Sequence, residues 1–380
     1  MYKTLKFRIY PNEQQKIFLS KSFGCTRFVY NYYLASAIKD GYKNANAYIQ
    51  DYTHNLKYKY LFLQEIDSIL IRKTIFHLDD AYQKFFKNKY GYPKFKSKNS
   101  KNSYTTNAIY RNYKDKTYCN IELDLKNRII KLPKIKWIKL RGYRNLEEIK
   151  GKIISATITK EPNGKYYVAL VYELKELENK KINPNSIIGI DLGLKKLLTL
   201  SNGEVFNNNK YLLKYEKRIK RLQRELSRKT KKSKNYYKCR NKLAILYSKL
   251  KNDRNYYLHK ITKNIVDNYD IITCEKLKTK DMLMNKRLSQ KISDATFYEI
   301  IRQLQYKAKY KEKYFYQVDS YYKSSQTCSI CDHIDSKYKN LNERTYRCCN
   351  CKNILDRDLN ASINIMFEGL KLYMKDRLTC

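Results

Sequence analysis

The chain of 380 residues carries 80 Lys and Arg against 36 Asp and Glu, a formal net charge of +44. Such a surplus repels itself unless a polyanion neutralises it, so the composition favours a protein that binds nucleic acid. No apolar run approaches the roughly 18 residues of a membrane-spanning helix, and the N-terminus lacks the apolar core of a signal peptide. We therefore expect a cytoplasmic protein without a membrane partner, with room for two or three domains.

The first half of the chain begins with a predicted strand and continues as helices. TLKFRIYP alternates apolar and basic residues and stops at Pro11, as an edge strand does. Asn12 is suited to capping the helical pattern that follows as far as about Phe86. One broad helical face collects the apolar side chains Leu70, Ile71, Ile75, Leu78, Tyr82 and Phe85. Residues 87–116 are rich in Lys, Asn and Tyr, which predicts a basic loop or irregular arm.

Short β signals follow. The runs IISATITKE and KYYVALVYEL flank Pro162-Asn163-Gly164, and Asn-Gly between two alternating runs is the strongest local signal for a hairpin. Residues 174–185 are polar and include Pro184, so we predict a domain boundary there.

The second half opens with an acid inside an apolar strand and continues with a basic helical region. SIIGIDLGLKKLLTLSNGEVF predicts two strands, the first of which contains Asp191. From Lys214 to Lys242 there are 14 Lys and Arg, opposed only by Glu216 and Glu225. Apolar residues keep helical spacing on both sides of KTKKSKN. A charged helix face is often merely solvated, but charge of one sign cannot form stabilising i,i+4 pairs, so a phosphate-facing helical hairpin is favoured.

Four cysteines have the spacing of a zinc ribbon, two C-x2-C pairs separated by sixteen residues. The predicted ligands are Cys328, Cys331, Cys348 and Cys351. A two-residue gap lets a tight turn direct both thiolates at one ion, with Zn–S distances of about 2.3 Å. The segment between the pairs, which includes Arg344 and Tyr346, is too polar to form a core without the metal, so we expect structural zinc. Cys349 is interpreted as a bystander and His333 as a surface residue.

Three acidic residues lie at the ends of apolar elements. Asp191 lies in its strand, Glu275 ends the run YDIITCEKL, and Asp358 begins a helix whose dipole favours an anion. One buried acid is often a satisfied structural group, whereas three indicate a common purpose. Carboxylates that converge on Mg²⁺ can promote hydrolysis of a phosphodiester. Sequence spacing leaves open whether these three converge in space.

These segments resemble a known nuclease family. IGIDLGLKKLLTLSNGE, ITCEKL and DRDLNASINI are similar to the three segments of a RuvC-type (RNase H-like) nuclease. Together with ISDATFYEIIRQLQYKA, SSQTCSIC, TYRCCNC, LKFRIYPNEQQ and PKFKSK, they resemble TnpB, the OrfB-type protein of bacterial insertion sequences, which is related to the type V CRISPR nucleases. Lys323 stands where the family often has proline, and Ala361-Ser362 where it usually has two alanines. Neither departure removes a ligand or a charge.

The resemblance implies an α/β multidomain protein. Its parts would be a wedge-like β-barrel (residues 1–11 and 116–183), a helical recognition lobe (12–115), a RuvC-like nuclease domain (184–322 and 356–380) and an inserted zinc ribbon (323–355). The family's motif acids fall on Asp191, Glu275 and Asp358, and would hold two catalytic Mg²⁺ ions. Asp356 is the neighbour of the last of these acids. The zinc ligands of the family fall on the four cysteines of the two C-x2-C pairs.

The activity implied by the resemblance is RNA-guided DNA cleavage. A guide RNA derived from the transposon end would bind the basic surfaces, and a short motif beside the double-stranded target DNA would be recognised. We expect a monomer within a ribonucleoprotein, associated with the bacterial nucleoid. The candidate nucleic-acid contacts are Tyr104, Thr105, Thr106 and Asn107, where the family reads the adjacent motif, and Arg302 and Gln303 on a later helix. A flexible loop and an ordinary helix surface are equally good interpretations of these two segments.

Other classes of function make different demands on the sequence. A non-cutting RNA-guided repressor, or a transposition accessory protein of the same fold, should have lost acids of the triad, and this chain retains all three. A transposase that performs strand transfer would need a His-hydrophobe-His arrangement and a catalytic tyrosine, which we do not find. A guide-free zinc-ribbon DNA binder would leave most of the chain unexplained.

Overall fold

The computed structural model of the protein describes residues 2–87, 90–113, 116–142, 151–174, 186–285, 289–339 and 343–378. Contacts divide the chain into two units, Met1–Glu176 and Leu177–Cys380. The boundary that we predicted at residues 174–185 lies, apart from its first residue, outside the described residues. None of the helices in the described part of the chain combines the length and the apolar composition that a bilayer span requires.

The first unit contains a group of helices. They are α1 (Glu13–Asp40), α2 (Ala45–Asp51), a π-helical turn (Tyr52–Leu56), α3 (Lys57–Lys59), a 3-10 turn (Leu61–Leu63) and α4 (Ser68–Phe86). Asn12 caps α1 as predicted, because its side chain accepts a hydrogen bond from the Gln15 backbone N–H at 2.8 Å and the Gln15 side chain accepts one from the Asn12 N–H at 3.0 Å. The predicted apolar face of α4 is buried except for Phe85, which is half-buried.

The same unit contains a seven-stranded sheet. The strands of this unit are β1 (Tyr2–Tyr10), β2 (Asn102–Asn107), β3 (Tyr110–Tyr113), β4 (Lys116–Cys119), β5 (Glu122–Asp124), β6 (Ile129–Leu132), β7 (Lys136–Arg141), β8 (Gly151–Lys160) and β9 (Tyr166–Leu174). Seven of them form the large sheet, and β3 and β4 form a separate antiparallel pair. The sheet order is β2-β8-β9-β1-β7-β6-β5, and its core is continuous with that of the helices. β8 and β9 form the predicted hairpin, whose turn places Gly164 at a φ of 78°, a value that favours glycine.

The stretch predicted as a basic loop or irregular arm contains strands instead. β2 pairs with β8 along its whole length. Tyr104 and Thr106 are buried, while Thr105 and Asn107 on the other face are half-buried. The prediction was wrong because the alternation is short and polar, and its burial depends on pairing with a distant strand. These residues therefore lie in the sheet, although the predicted boundaries assigned them to the helical part.

The second unit is built on a mixed five-stranded sheet. Its strands are β10 (Ile187–Leu192), β11 (Lys196–Leu200), β12 (Val205–Asn207), β13 (Ile271–Glu275) and β14 (Tyr314–Val318). The order is β12-β11-β10-β13-β14, in which β10, β13 and β14 run parallel and β11 and β12 run antiparallel to their neighbours. The two strands predicted from SIIGIDLGLKKLLTL are thus confirmed.

Helices and a small ribbon complete the second unit. They are α5 (Tyr211–Ser227), α6 (Lys234–Asn268), α7 (Thr279–Met284), α8 (Ser289–Ala295), α9 (Phe297–Tyr310), a 3-10 turn (Ser336–Lys339), β15 (Thr345–Arg347), β16 (Ile354–Asp356) and α10 (Arg357–Leu378). β15 and β16 form a separate two-stranded antiparallel sheet. The ribbon is followed immediately by α10.

α5 and the start of α6 form the helical hairpin predicted from the basic region. The two helices enclose a small core of their own, made of Ile219, Leu222, Cys239, Leu246 and Leu250. Every Lys and Arg from Lys214 to Lys242 except Lys229 is exposed. We refer to residues 214–242 as the basic hairpin.

Two glycines allow α10 to lie directly on the five-stranded sheet. A Cβ on Gly189 in β10 would lie 2.0 Å from the Ser362 carbonyl oxygen and 2.6 Å from the Met366 backbone nitrogen, both in α10. A Cβ on Gly369 in α10 would lie 1.9 Å from Cγ2 of Thr273 in β13. Close contact at these two points sets the position of α10 on the sheet, and with it the position of the helix N-terminus.

Gly189→Ala is expected to destabilise the second unit by about 3 kcal/mol or more, because the new methyl group meets backbone atoms that cannot move independently. Gly24→Ala is the control, since a Cβ on Gly24 in α1 meets nothing within 4 Å and alanine favours a helix by about 0.5–1 kcal/mol. Denaturant unfolding of both variants measures the difference. Equal stability of the Gly189→Ala variant and the unsubstituted protein would contradict the close packing of α10.

Candidate metal centres

The register of two parallel strands brings two of the predicted acids side by side. β10 and β13 pair Ile188 with Ile272 and Ile190 with Cys274. The next residues, Asp191 and Glu275, therefore occupy equivalent positions at the carboxyl ends of adjacent strands. Equivalent residues of neighbouring parallel strands project from the same face of a sheet.

The third acid, Asp358, reaches the same edge through α10. It is the second residue of that helix, in the first turn as predicted. The Asp356 carboxylate caps the helix, since its Oδ1 accepts hydrogen bonds from the N–H groups of Asp358 at 2.9 Å and Leu359 at 3.1 Å. Its Oδ2 accepts a bond of 2.8 Å from Lys196 Nζ. The two aspartates that are adjacent in the motif therefore differ in role: Asp356 orients the helix that carries Asp358.

Burial and like charge both act on the Asp191 carboxyl. Burial raises its pKa well above the usual range, and the nearby carboxylates of Glu275 and Asp358 raise the pKa further. The Arg357 guanidinium and the Leu192 backbone N–H oppose this shift in part. Since each acid affects the ionisation of Asp191, the three carboxylates form one electrostatic cluster. We refer to Asp191, Glu275 and Asp358 as the acidic site.

Three neighbours of the acidic site were not predicted. The Ser324 hydroxyl donates a hydrogen bond of 2.7 Å to Glu275 Oε1, and this bond opposes the increase in the Glu275 pKa that burial causes. Nη2 of Arg357 lies 3.6 Å from Asp358 Oδ1, and Nη1 of Arg344 lies 3.8 Å from the same oxygen. Arg344 comes from the zinc ribbon, where the sequence showed only a polar segment. The quoted motifs contain all three residues or adjoin them, but nothing in their spacing indicates these contacts.

The donor set of the acidic site suits a hard divalent cation. Two carboxyls with raised pKa values share the site with a third carboxylate, and arginine lies against one of them. Such a cluster gains stability from a cation that neutralises it, and oxygen donors are those preferred by Mg²⁺. The residues present therefore fit the predicted metal.

The four predicted cysteines form a tight cluster. Their sulfur atoms all lie within 4.8 Å of one another. The Sγ atoms of Cys328 and Cys351 are 3.6 Å apart, and those of Cys331 and Cys348 are 3.5 Å apart. A tetrahedron with Zn–S bonds of about 2.3 Å has S–S edges of about 3.8 Å. The thiols are therefore already placed at nearly the separation that one zinc ion requires.

The two C-x2-C turns have the same backbone geometry. In the first, the Cys328 carbonyl accepts a hydrogen bond from the Asp332 N–H at 3.1 Å. In the second, the Cys348 carbonyl accepts one from the Lys352 N–H, also at 3.1 Å. Asp332 and Lys352 both adopt the left-handed conformation, with φ of 56° and 61°. A hydrogen bond from the backbone of His333 lowers the pKa of the Cys331 thiol to about 6, which favours the thiolate that zinc binds.

Two tyrosines form a small core beside the four thiols. Tyr346, which was included in the polar segment, is fully buried and its ring centroid lies 4.2 Å from that of Tyr338. The tyrosine hydroxyls bond to backbone carbonyls, including that of Arg347 at 3.0 Å, so these side chains can be buried without leaving a polar atom unsatisfied. The exposed Cys349 thiol lies 3.0 Å from His333 Nε2 and outside the four-thiol cluster.

The predicted nucleic-acid contacts in β2 are divided between two faces. Tyr104 packs against Phe23 in the core, and burial raises its pKa. The buried Thr106 hydroxyl donates to Asp67 Oδ2 at 2.7 Å. In this conformation neither side chain can reach a base edge, so the prediction for these two requires correction. Thr105, bonded to Thr157 across the sheet at 2.9 Å, and Asn107 remain partly exposed on the opposite face.

Arg302 and Gln303 on α9 also have different environments. Gln303 is completely buried, where its Oε1 accepts a hydrogen bond from Thr262 at 2.9 Å and its Nε2 donates one to Glu299 at 2.9 Å. Its predicted nucleic-acid contact requires correction, because the amide is used within the core. Arg302 is half-exposed and bonds to the Glu299 carboxylate through two nitrogens, at 2.7 and 2.8 Å. It borders a cleft of about 620 Å³ between α6 and α9.

Comparison with known proteins gives matches along most of the chain. Residues 169–286 match the OrfB_IS605 family, described as "Probable transposase". Residues 297–365 match the Cas12f1-like TNB domain, and residues 1–46 match the helix-turn-helix domain of OrfB_IS605 proteins. The match to the Cas12f1-like TNB domain contains the four-thiol cluster and the first turn of α10.

Relatives that align with nearly the whole chain indicate the same family. A protein of Streptomyces pristinaespiralis named "Putative RNA-guided DNA endonuclease" is 30% identical over 381 residues, which cover 97% of this chain and 89% of the relative. InsQ of Escherichia coli K12, which has the same description, is 29% identical over 389 residues, 96% of this chain and 91% of the relative. The cryo-EM structure of a Cas12f1–sgRNA–target DNA complex contains a chain with the same fold, with a TM-score of 0.57 at 14% identity, covering 96% of this chain and 98% of that one. This chain therefore belongs to the TnpB (OrfB-type) family of RNA-guided DNA endonucleases, which is related to the type V CRISPR nucleases.

Proposed function

We propose that this protein is an RNA-guided DNA endonuclease that hydrolyses target DNA at the acidic site. The convergence of Asp191, Glu275 and Asp358 at one edge of a sheet, in a chain of net charge +44, carries the proposal. A protein that only bound nucleic acid would gain nothing from a half-buried cluster of like charges, which costs folding free energy and repels phosphate. The cost is understandable where the site must hold cations against a phosphodiester.

The acidic site would hold two Mg²⁺ ions through its three carboxylates. When bound, the ions supply a hydroxide at neutral pH and stabilise charge on the leaving oxygen. The chain's own residues orient the carboxylates: Ser324 fixes one oxygen of Glu275, and the Asp356 cap fixes the start of the helix that carries Asp358. Arg357 and Arg344, both near Asp358, place positive charge where the phosphate backbone would approach.

The basic hairpin is the surface that we assign to the RNA backbone. Its Lys and Arg side chains are almost all exposed. Among the described residues of the second unit, one ion pair lies within this hairpin, between Lys220 and Glu216 at 2.7 Å. Contacts between cations and phosphates release counterions, so they bind RNA strongly without requiring a particular sequence. A guide RNA encoded by the transposon end would supply the sequence specificity by pairing with the target strand.

The remaining parts follow the family layout. We assign the five-stranded sheet with α10 to a RuvC-like nuclease domain, the four-thiol module to an inserted zinc ribbon, the seven-stranded sheet to the wedge and the helices of the first unit to the recognition lobe. Thr105 and Asn107 are retained as candidate contacts to the motif beside the target, because their side chains are partly exposed on one face of β2. Arg302 is retained as a candidate contact to the RNA–DNA heteroduplex.

The protein purified from cells that also express its transposon end is expected to contain RNA. The expected A260/A280 ratio is that of a ribonucleoprotein, and the complex should cut DNA that matches the guide in the presence of Mg²⁺. The same preparation after RNase treatment is the control and should lose sequence-specific cutting. Cleavage of a chosen sequence by RNA-free protein would contradict guidance, and guided binding without any cutting would favour the repressor or accessory function.

A further inference from the structure

Two buried asparagines of α10 hold the segment that enters the zinc ribbon. Asn364 is 2% exposed, and its Nδ2 donates hydrogen bonds to the carbonyl oxygens of Ser324 at 2.8 Å and Thr327 at 2.7 Å. Asn360 is fully buried, and its Nδ2 donates to the same Thr327 carbonyl at 2.7 Å. Neither amide can reach water, so these bonds to the segment are their main compensation for burial.

The Asn360 amide also spans the first zinc ligand. Its Oδ1 accepts a hydrogen bond of 2.9 Å from the Ser329 backbone N–H, while its Nδ2 bonds the Thr327 carbonyl. Thr327 and Ser329 are the two residues on either side of Cys328. The backbone of this ligand is therefore fixed directly to α10, the helix that carries Asp358.

The same segment contacts the acidic site at its other end. The Ser324 carbonyl is bonded by Asn364, and the Ser324 hydroxyl donates to Glu275 Oε1 at 2.7 Å. Ser324 is 4% exposed, so water cannot easily replace its hydroxyl. A continuous series of hydrogen bonds thus joins the Cys328 backbone, the two asparagines, Ser324 and the Glu275 carboxylate.

We propose that Ser324, Asn360 and Asn364 are positioning residues through which the zinc ribbon sets the orientation of Glu275 for binding a divalent cation. This inference rests on the proposed function of the acidic site. Groups that hydrogen-bond metal ligands typically change metal affinity or activity by 10–100-fold when they are removed. Because coupling between two binding sites is reciprocal, zinc in the ribbon strengthens divalent-cation binding at the acidic site, and that binding strengthens zinc.

The test measures Mn²⁺ binding to the purified complex by electron paramagnetic resonance. RNA also binds Mn²⁺, so the relevant sites are those present in the unsubstituted protein and absent from Asp191→Asn. We expect Ser324→Ala and Asn364→Ala to weaken this Asp191-dependent binding by about 10–100-fold. Zinc content, measured by mass spectrometry of the metal, should remain one ion per chain in Ser324→Ala.

Two further variants separate positioning from general stability. Ser362→Ala removes a buried hydroxyl of α10 that, among the described residues, bonds the Leu359 carbonyl of its own helix at 2.8 Å, and should leave Mn²⁺ affinity unchanged. Ser324→Thr keeps the hydroxyl and should restore most of the affinity that Ser324→Ala loses. The Ser324→Ala/Asn364→Ala double variant should bind Mn²⁺ with nearly the same affinity as the single variant that shows the larger loss. Both changes interrupt the same series of hydrogen bonds, so their effects should not add.

Unchanged Asp191-dependent Mn²⁺ affinity in Ser324→Ala would overturn the inference, as would fully additive losses in the double variant. If Asn364→Ala fails to fold, Ser324→Ala, which loses a single oxygen atom, decides the question. The proposed function fails separately: the unsubstituted complex would then show neither Asp191-dependent Mn²⁺ binding nor guided cleavage. If the complex cuts DNA and binds Mn²⁺ through Asp191, but Ser324→Ala does not change the Mn²⁺ affinity, only the coupling is refuted.

Discussion

Asp191→Asn is expected to abolish guided DNA cleavage, lowering the rate by at least about 1,000-fold, or about 4 kcal/mol in activation free energy. The amide keeps the size of the side chain but removes the charge at the centre of the acidic site. RNA binding should be unchanged, because the basic hairpin, to which we assign the RNA backbone, is separate in sequence from this edge of the sheet. Cleavage rates and RNA content of the two proteins provide the measurement.

The same substitution should stabilise the protein when no divalent cation is present. Because burial raises the pKa of Asp191 in the folded state, the folded chain retains a proton that the unfolded chain releases. The contribution of the Asp191 carboxyl to stability without metal is therefore greatest below the usual pKa of aspartate and falls as the pH rises above it. At neutral pH, Asp191→Asn should raise the Tm by about 2–4 °C, corresponding to about 1 kcal/mol in a unit of this size. Addition of Mg²⁺ should raise the Tm of the unsubstituted protein more than that of the variant.

Asp281→Asn provides a control for both measurements. Asp281 is exposed in the first turn of α7, so its loss should alter neither cleavage nor the response of the Tm to Mg²⁺. Undiminished cutting by Asp191→Asn would show that the acidic site does not perform the reaction. A lower Tm of that variant in the absence of metal would contradict the electrostatic account of the site.

Cys348→Ser is expected to release zinc and unfold the ribbon. Structural zinc in small modules contributes an apparent binding free energy of about 10–16 kcal/mol, far more than the small tyrosine core of the ribbon can replace. Metal analysis should show a loss of one zinc per chain, and the ribbon should become sensitive to proteases. Since residues of the ribbon reach Glu275 and Asp358, guided cleavage should also decrease strongly.

Cys349→Ser makes the same chemical change one residue further along the chain. The Cys349 thiol is exposed and lies outside the four-thiol cluster, so zinc content and ribbon folding should be unchanged. Zinc retained by Cys348→Ser, or lost from Cys349→Ser, would show that the ligand assignment is wrong. If only Cys348→Ser loses zinc, the loss cannot be a general effect of replacing a thiol by a hydroxyl.

Several features of the fold were predictable from local sequence. Asn12 caps α1, Asn163-Gly164 forms the β8–β9 turn, and the break in the basic hairpin lies where its apolar spacing is interrupted. The positions of Asp191 and Glu275 at strand ends were also correct. Each of these predictions depends on residues within a few positions of one another, where backbone preference and periodicity act directly.

Other features depended on partners far along the chain. Tyr104 and Thr106 are buried because β2 pairs with β8, and Gln303 is buried because its amide bonds Thr262 in another helix. Their sequence environment was polar, so exposure was the natural expectation. Tyr346 was assigned to a polar segment for the same reason, yet it packs against Tyr338 inside the ribbon.

The sequence by itself determined the charge of the protein and singled out the four thiols that form a cluster and the three acids of the acidic site. Cysteine spacing suffices to predict this cluster because two residues between the thiols of a pair already set the turn geometry. Only the tertiary structure decided that Asp191, Glu275 and Asp358, each more than 80 residues from the next, share one site. Their meeting requires the register of β10 with β13 and the close packing of α10 at Gly189 and Gly369. Strand register and helix packing are properties of distant surfaces in contact, which no local pattern contains.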